Sequence, residues 1–509
     1  MPDSGLGRPL RGFSPTVLWS IMTVVALVAF LARRNIVERH AGLLGLHGYD
    51  DGVYYAGAAA MLAGRMPYED FVLLHPPGIL VVLAPFAELG ALTSDQIGLA
   101  GARVGFWVLG AVNAALVARV AAREGLLAAA VGGLAYALSY PAIYSERTAL
   151  LEPLGNTALL IALLLLGRTD RKPSGRSQVL AGAVLGAAVC IKLWMVIPLV
   201  VITLWQLLSA GWRAAVRVAA GATAVGLAFL VPFLGVLPEM FRMVVLAQLG
   251  RVRSRSVVHR MVSITGLDPL QRLTNPEIAG AVLVLVVLTG LVAVVVAVRS
   301  GERGRVYAAL LVAHLAMLLL GAPYFGHYAI FLSVPAALVL ATLVGQAAAI
   351  SHGRRWAWPQ LSLAVALVVG VVGLNATTLK ARAGNPFPAR RLAAAVVDRP
   401  CVVSDDDTAL IAMNVFTRDL RRGCRLMVDV TGLTYDRAAV FRPDGRPVPR
   451  TANRLYQREM SSYLLSGSAT ILARPGGAGL SNATKRRIES LPVLAKARGY
   501  RVHGRPAAG

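Results

Sequence analysis

Long apolar blocks recur along this chain, and they constrain its fold more than any other feature. A helix that crosses a bilayer needs ~20 mostly apolar residues, because each residue adds only about 1.5 Å to its length. The 509 residues are 56% hydrophobic and only 15% charged, a composition typical of membrane proteins that cross the bilayer many times. The sequence therefore predicts a polytopic α-helical membrane protein.

The net charge of +25 restricts the class of function. Nucleic-acid binding usually needs basic residues that are gathered on one face or in one domain. Here Lys and Arg are spread over short loops between apolar blocks, which is the pattern that the positive-inside rule produces. We therefore expect a lipid bilayer, and no nucleic acid, as a partner.

The basic loops also predict which apolar blocks cross the membrane. If these loops face the cytoplasm, neighbouring ones must be separated by an even number of crossings. By this rule the block at 78–92 is a half-inserted or interfacial helix on the outer face, and the run from Val179 to Leu208 is two short legs. The first block, with no small-residue cleavage site after it, predicts an uncleaved signal anchor. About eleven spans result, at roughly 16–32, 101–118, 126–144, 152–167, twice within 179–208, and at 218–235, 278–298, 306–321, 328–350 and 360–379.

The spans divide the chain into a membrane domain at 1–380 and an exported domain at 385–509. The membrane domain then has a first external loop at 35–102 and a long external loop at 236–277. In the exported domain, apolar runs such as "CVVSD", "CRLMVDV", "ATILARP" and "YRVHG" alternate with helix-like stretches. This alternation predicts a small α/β domain of about four strands.

Two further features belong to the exported domain. The stretch "SDDDTAL" at 404–410 is interpreted as a strand-to-helix turn with an N-cap in preference to a metal cluster. Cys401 and Cys424 are able to form a disulfide if the domain is exported, and two buried free thiols are the alternative.

The first external loop carries two adjacent aspartates, Asp50 and Asp51. The small and aromatic residues at 52–63 predict an amphipathic helix at the membrane surface, with both aspartates at its N-terminus, where the helix dipole stabilises anions. One aspartate is accounted for as an N-cap. The other is then available to face a cavity at the outer leaflet.

More polar residues follow in "YEDFVLLHPPG", which contains Glu69, Asp70 and His75. The two prolines after His75 hold it in extended geometry. A lone histidine is usually a structural hydrogen-bonding residue, and this alternative stays open beside a role in the site.

Lys192 lies at the predicted junction of the two short legs, in "VCIKLWMVIP". An ammonium group below the membrane surface costs several kcal/mol unless it faces water or an anion, so Lys192 is a site candidate. The alternative is a lysine whose side chain snorkels to the interface.

The external side carries further cations. Arg251, Arg253 and Arg255 lie in the long external loop. The stretch "FGHYAIFL" adds His327, followed by Tyr328, at the start of a predicted helix. Arginines bind phosphate through two hydrogen bonds, and clusters of them favour phosphorylated lipids. Non-specific attraction to anionic headgroups is the alternative. With the carboxylates, these cations suit the transfer of a group from a lipid phosphate to a hydroxyl.

The same residues resemble a known superfamily. "GYDDGVYYAGAAAMLAGRMPYEDFVLLHPPG" resembles the first external loop of GT-C glycosyltransferases, especially bacterial relatives of protein O-mannosyltransferases and of the lipid A aminoarabinose transferase. Three further pieces match in order: "ERTALLEPLGN", "GAVLGAAVCIKLWMVIP" and "HYAIFLSVPAAL". The chain lacks the Trp-Trp-Asp signature of oligosaccharyltransferases.

The resemblance implies a GT-C fold and a polyprenyl-phosphate-linked sugar donor that is used at the outer face. It implies that Asp51, or else Asp50, is the general base, and that Glu152 is an acidic residue near the acceptor. Lys192 and His327 correspond to positions near the donor phosphate, where Arg251, Arg253 and Arg255 would assist. The residues expected to support the substrate site are Tyr54, Glu69, Asp70, His75 and Tyr328.

The resulting hypothesis is an inverting glycosyltransferase of a bacterial plasma membrane. It transfers mannose or arabinose to a glycan, glycolipid or protein of the envelope. The choice of sugar is an analogy: the Ala, Gly, Val and Arg bias of the chain is typical of bacteria with GC-rich genomes, in which lipid-linked mannose and arabinose would be the natural donors. No cofactor is required and no metal site is predicted, although a weakly held divalent cation at the two aspartates stays open. The alternatives are a flippase or transporter of lipid-linked sugars and a non-catalytic scaffold.

Overall fold

The computed structural model describes residues 14–167, 173–251, 255–267, 275–351, 373 and 384–504. The membrane domain is almost entirely helical. Its helices are α1 (Pro15–Glu38), α2 (Asp50–Leu62), α3 (Gly78–Leu92), α4 (Asp95–Ala121), α5 (Leu126–Leu138), α6 (Tyr140–Glu146), α7 (Glu152–Leu166), α8 (Gly175–Val189), α9 (Val196–Ala210), α10 (Trp212–Leu230), α11 (Leu237–Phe241), α12 (Ala247–Leu249), α13 (Val257–Thr265), α14 (Pro276–Arg299), α15 (Glu302–Leu320) and α16 (Ser333–Ser351).

Among the described residues, fewer helices are long and apolar enough to cross a membrane than the sequence predicts. In the described residues, seven helical segments are long and apolar enough to cross a membrane, or eight if the bent pair α5 and α6 is one span. Helices α3 and α7 are apolar but have only 15 residues each. The block at 360–379 lies outside the described residues, so the count of about eleven stays a prediction.

The run from Val179 to Leu208 is divided into two helices, as parity required. Helices α8 and α9 have 15 residues each, and a short 3₁₀ turn at Leu193–Met195 precedes α9. Lys192 is the extended residue before this turn. Each helix is only about 22 Å long at 1.5 Å per residue, so the break occurs inside the bundle.

Helices α8 and α10 approach closely because small residues face each other. A Cβ atom at Gly182 would collide with the backbone of Val218, and one at Gly221 would collide with the backbone of Val179. Such small-residue contacts allow helix backbones to pack directly in membranes.

A buried ion pair joins the first helix to the middle of the membrane domain. The Nε and Nη2 of Arg33 donate to Glu146 at 3.0 and 2.5 Å, and neither side chain is accessible to solvent. Glu146 also accepts hydrogen bonds from Asn113 at 2.9 Å and Tyr136 at 2.7 Å. Its two oxygens therefore have four donor contacts, which is how a buried charge is stabilised.

Residues 389–504, which we call the exported domain after the sequence-based prediction, form the predicted small α/β domain. Its helices are α17 (Ala389–Ala393), α18 (Asp407–Ala412), α19 (Phe416–Arg421), α20 (Arg454–Leu464) and α21 (Asn482–Glu489), and its strands are β1 (Val402–Ser404), β2 (Ala469–Ile471), β3 (Val493–Ala497) and β4 (Tyr500–Gly504). The strand order is β1-β2-β4-β3, with β1 and β2 parallel and the other pairs antiparallel.

One predicted strand of this domain is absent from the described sheet, whereas the predicted N-cap is present and the two cysteines form a disulfide. The run "CRLMVDV" is not a strand, and the fourth strand is instead β3. Cys424, at the start of that run, forms a disulfide with Cys401. Asp406 is the N-cap of α18, where its side chain accepts from the Thr408 amide at 2.9 Å, so the N-cap prediction is confirmed.

The exported domain packs on the first external loop, and the two share one hydrophobic core. A Cβ at Gly52 in α2 would collide with Thr408. The Tyr49 hydroxyl donates to Asp429 at 2.9 Å, across 380 residues of sequence. Helix α2 is therefore buried on nearly every side, and the prediction of an amphipathic surface helix is wrong. Its Ala and Gly residues permit this burial because they leave room for neighbours on all sides.

Candidate active site

Four interruptions of helical structure bring polar residues to one place. Asp50 begins α2, Glu152 begins α7, and Lys192 lies in the break between α8 and α9. His327 and Tyr328 lie in the 3₁₀ turn that precedes α16. We call these five residues the Glu152 cluster. Helix ends suit such a site because they free side chains and backbone groups from regular packing.

The distances in the Glu152 cluster define a chain of charged groups. Lys192 Nζ lies 3.0 Å from Glu152 Oε1. His327 Nε2 lies 3.7 Å from the same oxygen and 3.9 Å from Asp50 Oδ2. The Lys192 ammonium also lies 4.4 Å from the centre of the Tyr328 ring, which adds a cation–π contact.

Burial separates the two acids of the cluster. The side chains of Lys192 and Glu152 are 3% and 1% exposed, whereas that of Asp50 is 39% exposed. Lys192 ends at a carboxylate inside the protein, so it is not a lysine that snorkels to the interface. Asp50 is the acid of this cluster that a substrate is able to reach.

The buried pair retains hydrogen-bonding capacity. Within the described parts of the chain, neither Lys192 Nζ nor either Glu152 oxygen has a hydrogen bond of normal geometry. Their contact is therefore an ion pair at short distance, with donors and acceptors left over. Buried polar atoms of this kind are usually satisfied by a partner, which makes the cluster a candidate ligand site.

Asp51 has different surroundings from Asp50. Its Oδ2 accepts from Arg103 at 2.9 and 2.7 Å, and its Oδ1 accepts from the Gly52 amide at 3.0 Å. Both Asp51 and Arg103 have fully buried side chains. This geometry favours Asp50 as the candidate base over Asp51, which the sequence alone favoured, because the Asp51 carboxylate is already held by the buried Arg103 guanidinium.

The expected supporting residues fall into two groups. Tyr54 lies beside the cluster, and its ring packs against His75 with centres 6.0 Å apart. His75 also lines one recess together with Lys192 and Tyr328. Glu69 and Asp70 are exposed, and no described contact joins either of them to the cluster.

Asp70 has a local role instead. Its Oδ2 accepts from the Met66 amide at 2.7 Å and so closes the turn after α2. Such side-chain-to-backbone bonds are common where short polar residues stabilise turns.

The predicted phosphate-binding arginines lie at different distances from the cluster. Arg251 stacks 4.6 Å from the centre of the Tyr435 ring and 6.0 Å from that of Phe325. Phe325 in turn stacks on His327 at 5.8 Å, so Arg251 adjoins the cluster through one ring. Arg255 is exposed and lines an open cavity of about 540 Å³ next to Phe325. Arg253 lies outside the described residues.

Burial and charge shift the pKa values of groups in the first external loop. The surrounding protein shields Asp50 from water, and this loss of solvation raises the pKa of its carboxyl group. The neighbouring His327 and Lys192 oppose the shift. Burial lowers the pKa of His75 well below its usual range, with Lys192 adding to the effect. The direction of these shifts favours a neutral His75 and makes the Asp50 carboxylate more basic than that of an exposed aspartate.

Arg103 and Asp429 were not among the predicted site residues. Arg103 lies within a predicted span, and an arginine in an apolar block is a signal that a buried partner exists. Asp429 accepts from Tyr49 and from the backbone amides of Thr431 and Gly432, so it anchors the exported domain beside Asp50. No local pattern in the sequence indicates that contact.

Among the residues that the structure describes, no group of three or more His, Cys, Asp and Glu side chains has the arrangement of a metal site.

The fold is similar to that of two solved membrane glycosyltransferases. ArnT from Cupriavidus metallidurans, bound to undecaprenyl phosphate, has a TM-score of 0.58 and 16% identity, over 97% of this chain and 99% of that chain. The archaeal oligosaccharyltransferase AglB from Archaeoglobus fulgidus, in complex with an inhibitory peptide and a dolichol-phosphate, has a TM-score of 0.55 and 13% identity, over 89% of this chain and 69% of that chain. The fold is that of the GT-C membrane enzymes, as the sequence predicted.

The family comparison adds the class of activity. The model of glycosyltransferase family 87 (GT87) matches residues 73–323, which include Glu152 and Lys192. No curated protein sequence matches the chain. The chain therefore has the fold of the GT-C membrane enzymes and matches a glycosyltransferase family model over residues 73–323, so the resemblance stated from its sequence is confirmed.

Proposed function

We propose that this protein transfers a sugar of the mannose or arabinose class from a polyprenyl-phosphate donor to a hydroxyl of an envelope glycan, glycolipid or protein. Asp50 is the general base of an inverting reaction. The observation that carries the proposal is the position of Asp50: a half-buried carboxylate 3.9 Å from His327, beside a buried Lys192–Glu152 pair.

The polyprenyl-phosphate donor fits the cationic side of the cluster. The contacts described above connect Asp50 to two cations, Lys192 and Arg251, and to the imidazole of His327. A phosphate that leaves with developing negative charge is stabilised by such groups if they are already in position. The structure of ArnT contains undecaprenyl phosphate, and that of AglB contains a dolichol-phosphate, which supports this class of lipid carrier.

In the proposed reaction, an acceptor oxygen forms a bond to the anomeric carbon of the sugar. The bond from that carbon to the phosphate oxygen breaks, and its electron pair stays on the phosphate. The acceptor proton passes to Asp50. Base catalysis of this kind typically contributes about 10²–10⁴-fold to the rate. Glu152 positions the Lys192 ammonium through their ion pair and is not itself the base.

The proposal includes no metal or cofactor. The divalent cation left open by the sequence would need both adjacent aspartates, but the Asp51 carboxylate is occupied by Arg103 and the Gly52 amide. A phosphate leaving group also needs no added proton, because it is stable as an anion.

We further propose that the site and the exported domain face the outside of a bacterial plasma membrane. The disulfide between Cys401 and Cys424 supports this orientation, because disulfides persist in oxidising compartments. The basic loops on the opposite side of the predicted spans support it as well.

The test uses purified protein in nanodiscs with labelled polyprenyl-phosphate mannose or arabinose and an envelope extract as the acceptor. We expect free polyprenyl phosphate and labelled acceptor from the wild type, and neither from Asp50→Asn. Movement of labelled lipid between the leaflets of proteoliposomes that contain the protein, without release of polyprenyl phosphate, would instead support a transporter, and the proposal would be wrong.

A further inference from the structure

The exported domain has a groove of about 660 Å³ between α20 and α21, apart from the Glu152 cluster. Three arginines line it: Arg454 and Arg458 on α20 and Arg487 on α21. Several serine and threonine hydroxyls complete the lining, and no Asp or Glu is among the described residues that form it. The groove is therefore both cationic and rich in hydroxyl groups.

One side chain makes the floor of the groove rigid. Gln457 Nε2 donates to the carbonyl oxygens of Arg450 and Gly479, each at 2.8 Å. Its Oε1 accepts from the Ser481 amide at 2.9 Å and from the Thr484 hydroxyl at 2.7 Å. The bonds to Ser481 and Thr484 tie α20 to the N-terminal end of α21, and those to Arg450 and Gly479 hold the segments that precede the two helices, so the groove is formed before any ligand arrives.

The positive charge in the groove is not neutralised by the protein. Arg454 and Arg458 are one helical turn apart and exposed, an arrangement that is unfavourable for like charges. Neither has an ion pair within the described parts of the chain. The neighbouring acid, Glu459, pairs with Arg425 at 3.3 Å instead. Arg487 contributes a third guanidinium from the opposite wall and donates to Ser461 at 3.0 Å.

Another arginine of the exported domain, Arg474, lies beside the first external loop. The Arg474 guanidinium stacks 4.6 Å from the centre of the Tyr49 ring, and Tyr49 precedes Asp50. In the part of the chain that the structure describes, Arg474 Nη1 is buried without a hydrogen bond. An anionic chain bound to the exported domain would therefore meet a further unoccupied guanidinium donor next to the catalytic loop.

We propose that the groove between α20 and α21 binds an anionic saccharide, whose carboxylate or phosphate groups pair with the arginines and whose hydroxyls bond to the Ser and Thr side chains. The inference rests on the proposed function and assigns this saccharide to the acceptor. Guanidinium groups form charge-assisted, two-point hydrogen bonds with carboxylate and phosphate. The hydroxyl-rich lining favours a saccharide over a phospholipid, which would need an apolar surface for its acyl chains.

The test measures binding to the full-length protein in nanodiscs of neutral lipid, without any donor. The probes are a fluorescent hexasaccharide of galacturonic acid and its neutral galactose counterpart, with inorganic phosphate as a competitor. The variants are Arg454→Gln/Arg458→Gln and, as a matched control, Arg486→Gln, which removes a neighbouring α21 arginine that does not line the groove.

We expect the anionic probe to bind at least about tenfold more tightly than the neutral one, with an affinity that falls as salt is raised. The double variant should lose about tenfold in affinity, and Arg486→Gln should stay within about twofold. Equal losses in both variants, or equal binding of the neutral probe, would overturn the inference. Phosphate that competes at the same concentration as the saccharide would reduce the groove to a general anion site and would also overturn it.

The two proposals fail separately in this design. Saccharide binding is scored without turnover, so a protein that binds the anionic probe but transfers no sugar would contradict only the proposed glycosyl transfer. Conversely, transfer with an unchanged acceptor KM in Arg454→Gln/Arg458→Gln would contradict only the role of the groove. Binding of anionic lipid vesicles, with no binding of the hexasaccharide, would replace the saccharide with a lipid and refute the inference.

Discussion

Replacing each of the two adjacent aspartates of the first external loop by asparagine should affect two different properties of the protein. Asp50→Asn removes a partly exposed carboxylate whose contact with the His327 imidazole, at 3.9 Å, is longer than a hydrogen bond. Asp51→Asn removes the buried partner of Arg103. The first change should affect turnover and the second should affect stability.

The magnitudes follow from the contacts. Loss of a general base typically reduces turnover by about 10²–10⁴-fold, and an isosteric amide at Asp50 leaves the packing unchanged. Removing one member of a buried ion pair typically costs about 3–5 kcal/mol. Arg103 retains bonds to the carbonyl oxygens of Leu43 and Gly45, so we expect a value near the lower limit for Asp51→Asn.

Two assays on the same purified samples separate these effects. Turnover is measured as release of polyprenyl phosphate at saturating donor, and stability is measured as the apparent unfolding temperature in detergent. Glu69→Gln is the matched control, because Glu69 lies on the same loop, is exposed and has no described contact with the Glu152 cluster. Asp50→Asn should unfold like the wild type, and Asp51→Asn should unfold at a lower temperature.

The reasoning would be refuted by the reverse pattern. If Asp51→Asn unfolds normally but loses turnover by at least about 10²-fold, while Asp50→Asn retains it, then Asp51 is the base as the sequence alone suggested. Loss of folding in both variants would instead show that Asp50 has a structural role, and Glu152 would be the next acid to test.

Three further predictions concern the cationic site and the exported domain. Lys192→Met should reduce turnover by about 10²–10³-fold because the leaving phosphate loses its buried cation, and it should lower the unfolding temperature because Glu152 loses its partner. Adding Glu152→Gln should restore the unfolding temperature but not turnover, and recovered turnover would show that the lysine is only structural. Replacing both Cys401 and Cys424 by serine should cost about 3 kcal/mol, measured as faster limited proteolysis of the exported domain, and unchanged proteolysis would contradict this. Burial raises the pKa of Asp406 to about 7, so the folded state holds a proton on this side chain at pH values where the unfolded state does not. The stability that this proton contributes is complete below the ordinary aspartate pKa and is lost as the pH rises through about 7. The unfolding temperature should therefore fall between about pH 5 and pH 8, and less so in Asp406→Asn, which keeps the N-cap; an identical slope in the two proteins would disprove the assignment.

Local patterns in the sequence predicted the features that depend on neighbouring residues. The Asp406 N-cap and the break at Lys192 are of this kind, because helix capping and the length needed to cross a bilayer depend on short stretches of chain. The small exported sheet was also predicted from alternating apolar runs, although one of its strands was assigned to the wrong run.

Features that depend on distant partners were not predicted. Asp51 and Arg103 are 52 residues apart, and Arg33 and Glu146 are 113 apart. Nothing in the local sequence distinguishes Asp51 from Asp50 before these partners are known. The same holds for α2, whose small residues fit a surface helix equally well until the exported domain covers it.

The shared core of the exported domain and the first external loop has a consequence for engineering. The Tyr49 hydroxyl donates a hydrogen bond to Asp429, and the Asp95 carboxylate accepts one from the Thr417 amide. These two contacts hold the first external loop to the exported domain both before α2 and at the start of α4. A chimaera that exchanges only residues 385–509 with a relative would leave the surface around Gly52 facing a foreign partner. Exchange of acceptor preference between such enzymes would therefore require the catalytic loop and the exported domain to be transplanted as one piece.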